Sequence, residues 1–164
     1  MIPVFSVVGS KSGVGKTTVL CNIIKELKNR GYRIGTVKHN VHGFDMDRPG
    51  KDTWLHRAAG ASVVAAVSPE RMAIIEESNE EYSLDDVINK IQNVDIIITE
   101  GYKSKNKPKL EVFRKEASEE LYSKDEELFC IVTDKHFDKN IPQFDFSQVK
   151  EITDLIEDKF LNKG

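Results

Sequence analysis

Short apolar runs alternate along the chain with stretches whose apolar residues recur every three to four positions, a pattern that predicts an α/β protein. Ile2 to Val8 is apolar and β-branched and reads as a buried strand. After a glycine-rich turn, Val19, Leu20, Ile23, Ile24 and Leu27 follow helical spacing. That helix stops near Arg30-Gly31, a basic last turn followed by a C-cap glycine. Arg33 to Lys38 reads as the next strand. His39 to Gly50 holds two histidines, two aspartates, two glycines and a proline, so it is expected to be a long functional loop. Asp52 to Ala59 predicts a short helix closing at Gly60. Ser62 to Val67 and Met72 to Glu76 predict strands around a turn at Pro69-Glu70. Ser83-Leu84-Asp85-Asp86 opens a further helix in capping-box style.

Asp95 to Thr99 carries three consecutive isoleucines, and a run apolar on both faces suits a central parallel strand covered by helices. Leu110 to Arg114 and Leu128 to Thr133 read as strands. Ser147 to Leu161 reads as a closing helix with Val149, Ile152, Ile156 and Phe160 on one face. Glu116 to Glu127 is acidic and is expected to be a solvated loop or helix face. No repeat or linker interrupts this pattern, so residues 1–164 are expected to form one domain.

The chemistry concentrates in Ser10-Lys11-Ser12-Gly13-Val14-Gly15-Lys16-Thr17-Thr18. The segment follows a predicted strand and opens a predicted helix, the context that a phosphate-binding P-loop requires. Glycines let backbone N–H groups turn inward toward phosphate oxygens, and the helix N-terminus adds its dipole. Lys16 is expected to reach the β- and γ-phosphates, and the Thr17 hydroxyl to ligate Mg²⁺. Ser10 stands where the motif usually starts with glycine. Lys11, five residues before Lys16, makes the loop similar to that of the deviant Walker ATPases. That likeness implies a lysine reaching a nucleotide on a partner subunit; the alternative is a solvent-facing loop lysine.

Glu100 follows the Asp95 to Thr99 strand and is the expected Mg²⁺-organising acid, because ligands of open α/β sheets lie beyond the carboxyl ends of strands. Asp47 or Asp52 is a candidate switch acid. His39 and His42 are candidates for orienting a substrate and are a weak metal signal by themselves. Lys103, Lys105, Lys107 and Lys109 alternate after Glu100-Gly101-Tyr102 and read either as a basic clamp for a phosphorylated second substrate or as a soluble surface loop. Asp134 ends a late strand and can accept hydrogen bonds from guanine N1 and N2.

Composition narrows the class. The chain has 24 basic and 27 acidic residues and a formal net charge of -3, without the basic excess of a general nucleic-acid binder. Cys21 and Cys130 lack metal-site spacing and read as two reduced core thiols. No apolar run reaches the roughly 20 residues of a membrane span. The start of the chain lacks the features of a signal peptide, and a cytoplasmic location is expected.

Six segments in order resemble the MobB family, the molybdopterin-guanine dinucleotide biosynthesis adaptor proteins. They are Val7-Val8-Gly9 to Thr18; Gly35-Thr36-Val37-Lys38-His39 with His42-Gly43-Phe44; Asp47-Arg48-Pro49-Gly50-Lys51-Asp52-Thr53; His56-Arg57-Ala58-Ala59-Gly60-Ala61; Thr99-Glu100-Gly101-Tyr102-Lys103; and Pro108-Lys109-Leu110-Glu111-Val112-Phe113-Arg114. The resemblance covers most of Val4 to Arg114. It implies a P-loop NTPase-like three-layer fold, with a mostly parallel sheet flanked by helices. It also implies a GTP-binding homodimer with weak hydrolysis, working beside a guanylyltransferase that joins GMP to molybdopterin. Gly13, Gly15, Lys16 and Thr17 would then hold phosphate and Mg²⁺. The segments Thr36-Val37-Lys38-His39 and Pro49-Gly50-Lys51-Asp52 would line the nucleotide or pterin side. Three other readings stay open: a stand-alone ATP-dependent kinase or ligase similar to dethiobiotin synthetases, a nucleotide-switched metal-insertion chaperone, and a partition-type ATPase.

Overall fold

The computed structural model describes residues 1–162, which divide into two compact units. The first comprises residues 1–39 with residues from 84 onward, and the second residues 40–83. The first unit is built on six strands: β1 (Val4–Val8), β2 (Ile34–Lys38), β5 (Ile96–Glu100), β6 (Lys109–Phe113), β7 (Leu128–Thr133) and β8 (Gln143–Phe144). Their order in the sheet is β2-β5-β1-β6-β7-β8, and every neighbouring pair is parallel. The chain leaves central β1 through α1 (Lys16–Asn29) to the β2 edge, and later lays β5 and β6 on opposite sides of β1. The carboxyl end of β1 is therefore the switch point at which such sheets open a crevice.

Alternation along the strands builds a core on each face of the sheet. Phe5, Val7, Ile96, Ile98, Leu110 and Val112 face Val19, Leu20, Ile23 and Leu27 of α1 and Ile152 and Ile156 of α4 (Val149–Ile156). Each such side chain, fully buried, contributes about 2 kcal/mol of transfer free energy. On the other face Ile97 and Val37 meet Leu84, Val87, Ile88 and Ile91 from α3 (Leu84–Lys90) and its exit. The three isoleucines of β5 thus serve both layers, as a strand apolar on both faces must. After α4 the chain winds one wider turn, Glu157–Leu161, where Asn162 N–H donates to Glu157 O.

The second unit contains α2 (Asp52–Ala58) and an antiparallel hairpin of β3 (Val63–Ser68) and β4 (Arg71–Glu76). Pairing of Val67 with Met72 and of Ala65 with Ile74 puts Val63, Val67, Met72 and Ile74 on one face, and all four are exposed. Arg57 is an ionic hub here, 2.8 Å from Glu77 and 3.2 Å from Asp45.

Several expectations are corrected. Cys130 is buried in β7, but Cys21 is exposed on α1, one position off the stripe that faces the core. Burial pushes the Cys130 thiol up to about 12. Lys109 belongs to no basic loop; it is a buried strand residue whose Nζ donates to Glu127 Oε1 at 2.6 Å. Nor is the acidic stretch 116–127 wholly solvated. Glu111, fully buried in β6, accepts the N–H groups of Tyr122 (2.6 Å) and Ser123 (2.9 Å) and draws that loop down over the strand. Edge strand β8 has only two residues and carries no hydropathy signal of its own.

Candidate functional site

The phosphate loop runs from Gly9 to Gly15, between the end of β1 and the first residue of α1. Two positions require glycine. A Cβ on Gly9 would stand 2.7 Å from Val112 O and 2.9 Å from Val14 Cγ2. Gly15 caps α1 at φ 101°, a left-handed conformation that turns the chain into the helix. Val14 is fully buried and anchors the loop to the core beneath it.

Lys16, Thr17, Glu100, Lys38 and Lys103 converge on this loop. Lys16 Nζ donates to Lys11 O at 2.6 Å, so its ammonium folds back over the backbone cradle. Burial lowers the Lys16 pKa from its usual 10.5, and Lys103 pushes it the same way. Thr17 Oγ1 lies 3.2 and 3.4 Å from the two carboxylate oxygens of Glu100 and donates toward them. The register pairs Val7 and Lys38 with Glu100, which places Glu100 at the carboxyl end of β5 and Lys38 Nζ 3.6 Å from it. Beneath them Thr99 Oγ1 donates to Ser6 Oγ at 2.8 Å, a buried hydroxyl pair tying β5 to β1.

Left-handed turns aim the next residues. Gly101 (φ 96°) and Tyr102 (φ 51°) reverse the chain after Glu100. Tyr102 stacks on His39 with ring centroids 4.5 Å apart. The close approach of His39 Cβ, 3.2 Å from where a Cβ on residue 101 would be, favours glycine there. Lys103 Nζ donates to Ser10 O at 2.9 Å.

Ser10 itself shares a hydrogen bond with Ser118 Oγ. The segment carrying Ser118 is the one pinned by Glu111, so a loop without a chemical signature of its own braces the start of the phosphate loop. The sequence trace of this device is a carboxylate, Glu111, at the centre of strand β6.

The remaining sequence-derived candidates belong to the loop itself, to segments beyond strand ends and to the second unit. Asp134 follows β7, and its Oδ1 accepts Lys115 N–H at 2.9 Å, tying the ends of β6 and β7 together. Lys11, Ser12 and Thr18 are exposed. Asp47 and Asp52 belong to the second unit. Asp47 Oδ1 accepts Arg48 N–H (2.8 Å) and Thr53 Oγ1 (3.0 Å), and Asp52 is the first residue of α2. His42 is exposed in that unit as well. Lys107 Nζ is 3.1 Å from Asp85, and Lys105 is exposed.

The residues at the loop fit a Mg²⁺-nucleoside phosphate. Gly13, with nothing within 4 Å of where a Cβ would stand, leaves the backbone open to close approach by phosphate. Thr17 and Glu100 offer adjacent hard oxygen donors, of the kind Mg²⁺ takes alongside phosphate oxygens and water. Among the described residues no group of three or more His, Cys, Asp or Glu side chains is placed to hold a metal ion.

Comparison with known proteins assigns most of the chain to one family. Residues 4–134 match the family model MobB, described as molybdopterin guanine dinucleotide synthesis protein B. The chain is 33% identical over 158 residues to the molybdopterin-guanine dinucleotide biosynthesis adapter protein of Haemophilus influenzae, covering 95% of this chain and 88% of that one. It is 32% identical to its Escherichia coli namesake, covering 95% and 92%. The crystal structure of Bacillus subtilis MobB superposes with a TM-score of 0.80 at 24% identity, covering 99% of this chain and all of the other. The phosphate-loop fold, the ordered segments around it and these matches place the chain in the MobB family.

Proposed function

We propose that the chain binds GTP·Mg²⁺ and acts as an adapter in molybdenum cofactor biosynthesis, supporting the attachment of GMP to molybdopterin beside a guanylyltransferase. The observation that carries the reading is the convergence of Lys16, Thr17 and Glu100 at the switch point of a parallel sheet. The adapter names of the relatives point the same way. Lys16 and the loop amides would hold the phosphates, while Thr17 and Glu100 would hold Mg²⁺. Bound Mg²⁺ would neutralise phosphate charge. Lys38 at the end of β2 and the His39–Tyr102 stack would border the nucleotide. Hydrolysis is slow in this reading, and the protein works in the cytoplasm; no helix among the described residues is long and apolar enough to cross a membrane.

The working form is a homodimer. Its support is the hairpin of the second unit, whose exposed face presents Val63, Val67, Met72 and Ile74 at 55–75% exposure. Contiguous apolar surface of this kind marks an interaction site, and a two-stranded ribbon is only marginally stable alone.

Calorimetric titration of the protein with GTP and with ATP, each with Mg²⁺, tests the nucleotide. A GTP preference of roughly tenfold or more is expected, equivalent to about 1.4 kcal/mol of base discrimination. Preference for ATP would sink the guanine assignment and favour the ATP-dependent class.

A further inference from the structure

Lys103 is held with unusual care for a lysine in a surface turn. The residue before it, Tyr102, is not a glycine yet has φ 51°. A side chain in that region is disfavoured and persists where its surroundings fix it. Here Tyr102 is 8% exposed and stacked on His39, and Gly101 supplies the preceding left-handed step. The turn carries the Lys103 ammonium onto Ser10 O (2.9 Å), while the Lys16 ammonium lies on Lys11 O (2.6 Å). Two lysines distant in sequence thus cap consecutive carbonyls of one phosphate loop. The Tyr122 ring, 4.8 Å from Lys103 Nζ, steadies the second of them.

Placing two ammonium groups near one short loop is unfavourable unless an anion joins them, and Lys103 indeed makes protonation of Lys16 harder. A charge count says which anion suffices. A nucleoside triphosphate with Mg²⁺ carries about -2, and Glu100 adds about -1. Lys16, Lys38 beside Glu100 and the N-terminus of α1 return about +2.5. About -0.5 remains for a triphosphate and about +0.5 for a diphosphate, so a further cation meets uncompensated negative charge only when the terminal phosphate is present.

We propose that Lys103 is a second phosphate-binding lysine of this loop, one that recognises the terminal phosphate and sets a preference for nucleoside triphosphate over diphosphate. The proposal rests on the nucleotide-binding reading above. Lys103 leaves Ser10 O for phosphate oxygen, as Lys16 leaves Lys11 O, and the neighbouring lysines cease to repel once an anion lies between them.

The test is calorimetry on the full chain, freed of nucleotide, with guanylyl imidodiphosphate and GDP, and with the corresponding adenine pair, each with Mg²⁺. Using both bases keeps the result independent of base preference. In Lys103→Gln, triphosphate affinity is expected to fall roughly tenfold or more, as for loss of one charge-assisted hydrogen bond, with diphosphate affinity changing less than about twofold. Lys103→Arg is expected to keep most of the preference. Lys103→Met, which keeps the aliphatic stem, should behave as Lys103→Gln. Equal loss for both phosphates, or no loss, would overturn the proposal. So would unfolding of Lys103→Gln and Lys103→Met alike, which would make the lysine structural. If the wild-type chain binds no nucleotide while remaining folded, the nucleotide reading itself fails, and this proposal falls with it.

Discussion

Lys16 shows how single residues in this protein are tuned by their neighbours. Its ammonium is partly desolvated and shares the loop with Lys103 and Lys38, while Glu100 works in its favour. Its pKa therefore lies below 10.5 in the fold, and the charged form is less favourable there than in the unfolded chain. This penalty to stability is present at neutral pH and fades as pH rises through the folded value toward 10.5. In the proposed nucleotide complex bound phosphate would reverse it, because an anion favours the ammonium. Nucleotide affinity should accordingly weaken as pH rises into the alkaline range, with proton uptake on binding. Titrations in two buffers of different ionisation enthalpy check both; uptake that survives in Lys16→Ala would refute the assignment.

The two thiols make a complementary prediction. Cys21 is exposed and Cys130 is buried, its thiol raised to about 12 by burial. A thiol reagent at neutral pH should modify Cys21 promptly and Cys130 only after unfolding, because the thiolate is the reacting species. Mass spectrometry of the labelled peptides distinguishes the two. Equal reaction at both sites in the folded protein would contradict the burial.

Residues differ in how openly the sequence announces them. Lys16, Thr17 and the glycines are legible because their geometry is local: a strand, a turn and a helix start within one short stretch. Glu100 is legible because a strand end is local too. The exposure of Cys21 differs from the expected core position because helical spacing fixes a stripe, and a residue one position off that stripe lies outside it. Ser118 and Glu111 were not legible at all. Their partners, Ser10 and the Tyr122 and Ser123 amides, are reached only through the tertiary fold.

At the scale of elements, β6 is the least expected strand. Its sequence, Lys109-Leu110-Glu111-Val112-Phe113, alternates as though one face met water, yet all five residues are buried. The polar face is covered by the loop after the strand rather than by a helix, and its two charges are satisfied by that loop. Lys109 pairs with Glu127, and Lys109 holds the Glu127 carboxyl below its ordinary range. A depressed carboxylate stabilises the fold above its unfolded value of 4.5 and loses that contribution as pH falls through its folded value. Glu127→Gln leaves the buried ammonium without its anion and should destabilise the protein by on the order of 2 kcal/mol. Urea denaturation at neutral pH measures this. The difference from wild type should shrink in acid, where the native carboxyl is protonated as well; a pH-independent difference would point to lost packing instead.

For the whole molecule, the sheet is legible in the sequence, whereas the division into two units carries no composition shift or linker that marks it. A run of apolar strands and helices is visible as periodicity, and Ile96 to Ile98 announce a strand covered on both faces. The second unit comes from a segment whose strands expose much of their apolar surface, so hydropathy there reports a surface as readily as a core. If that surface joins two copies of the chain, sedimentation should give a dimer at micromolar concentration. Val67→Lys with Ile74→Lys should give a folded monomer, because buried like charges facing one another across a two-fold contact are strongly unfavourable. A wild-type monomer would end the homodimer reading.

The continuity of the second unit in sequence has a consequence for how such a protein can change. Residues 40–83 form one uninterrupted segment between two parts of the sheet unit, and the segment leaves from the end of β2 and returns at the start of α3. Val37 and Leu84, just outside its borders, pack in the same core cluster. The framework on either side therefore closes on itself, and exchanging one inserted segment for another costs little more than loop closure, which grows only slowly with length. Descent can rewrite the inserted module, and with it the surface shown to other proteins, while every strand that positions the phosphate loop is inherited unchanged.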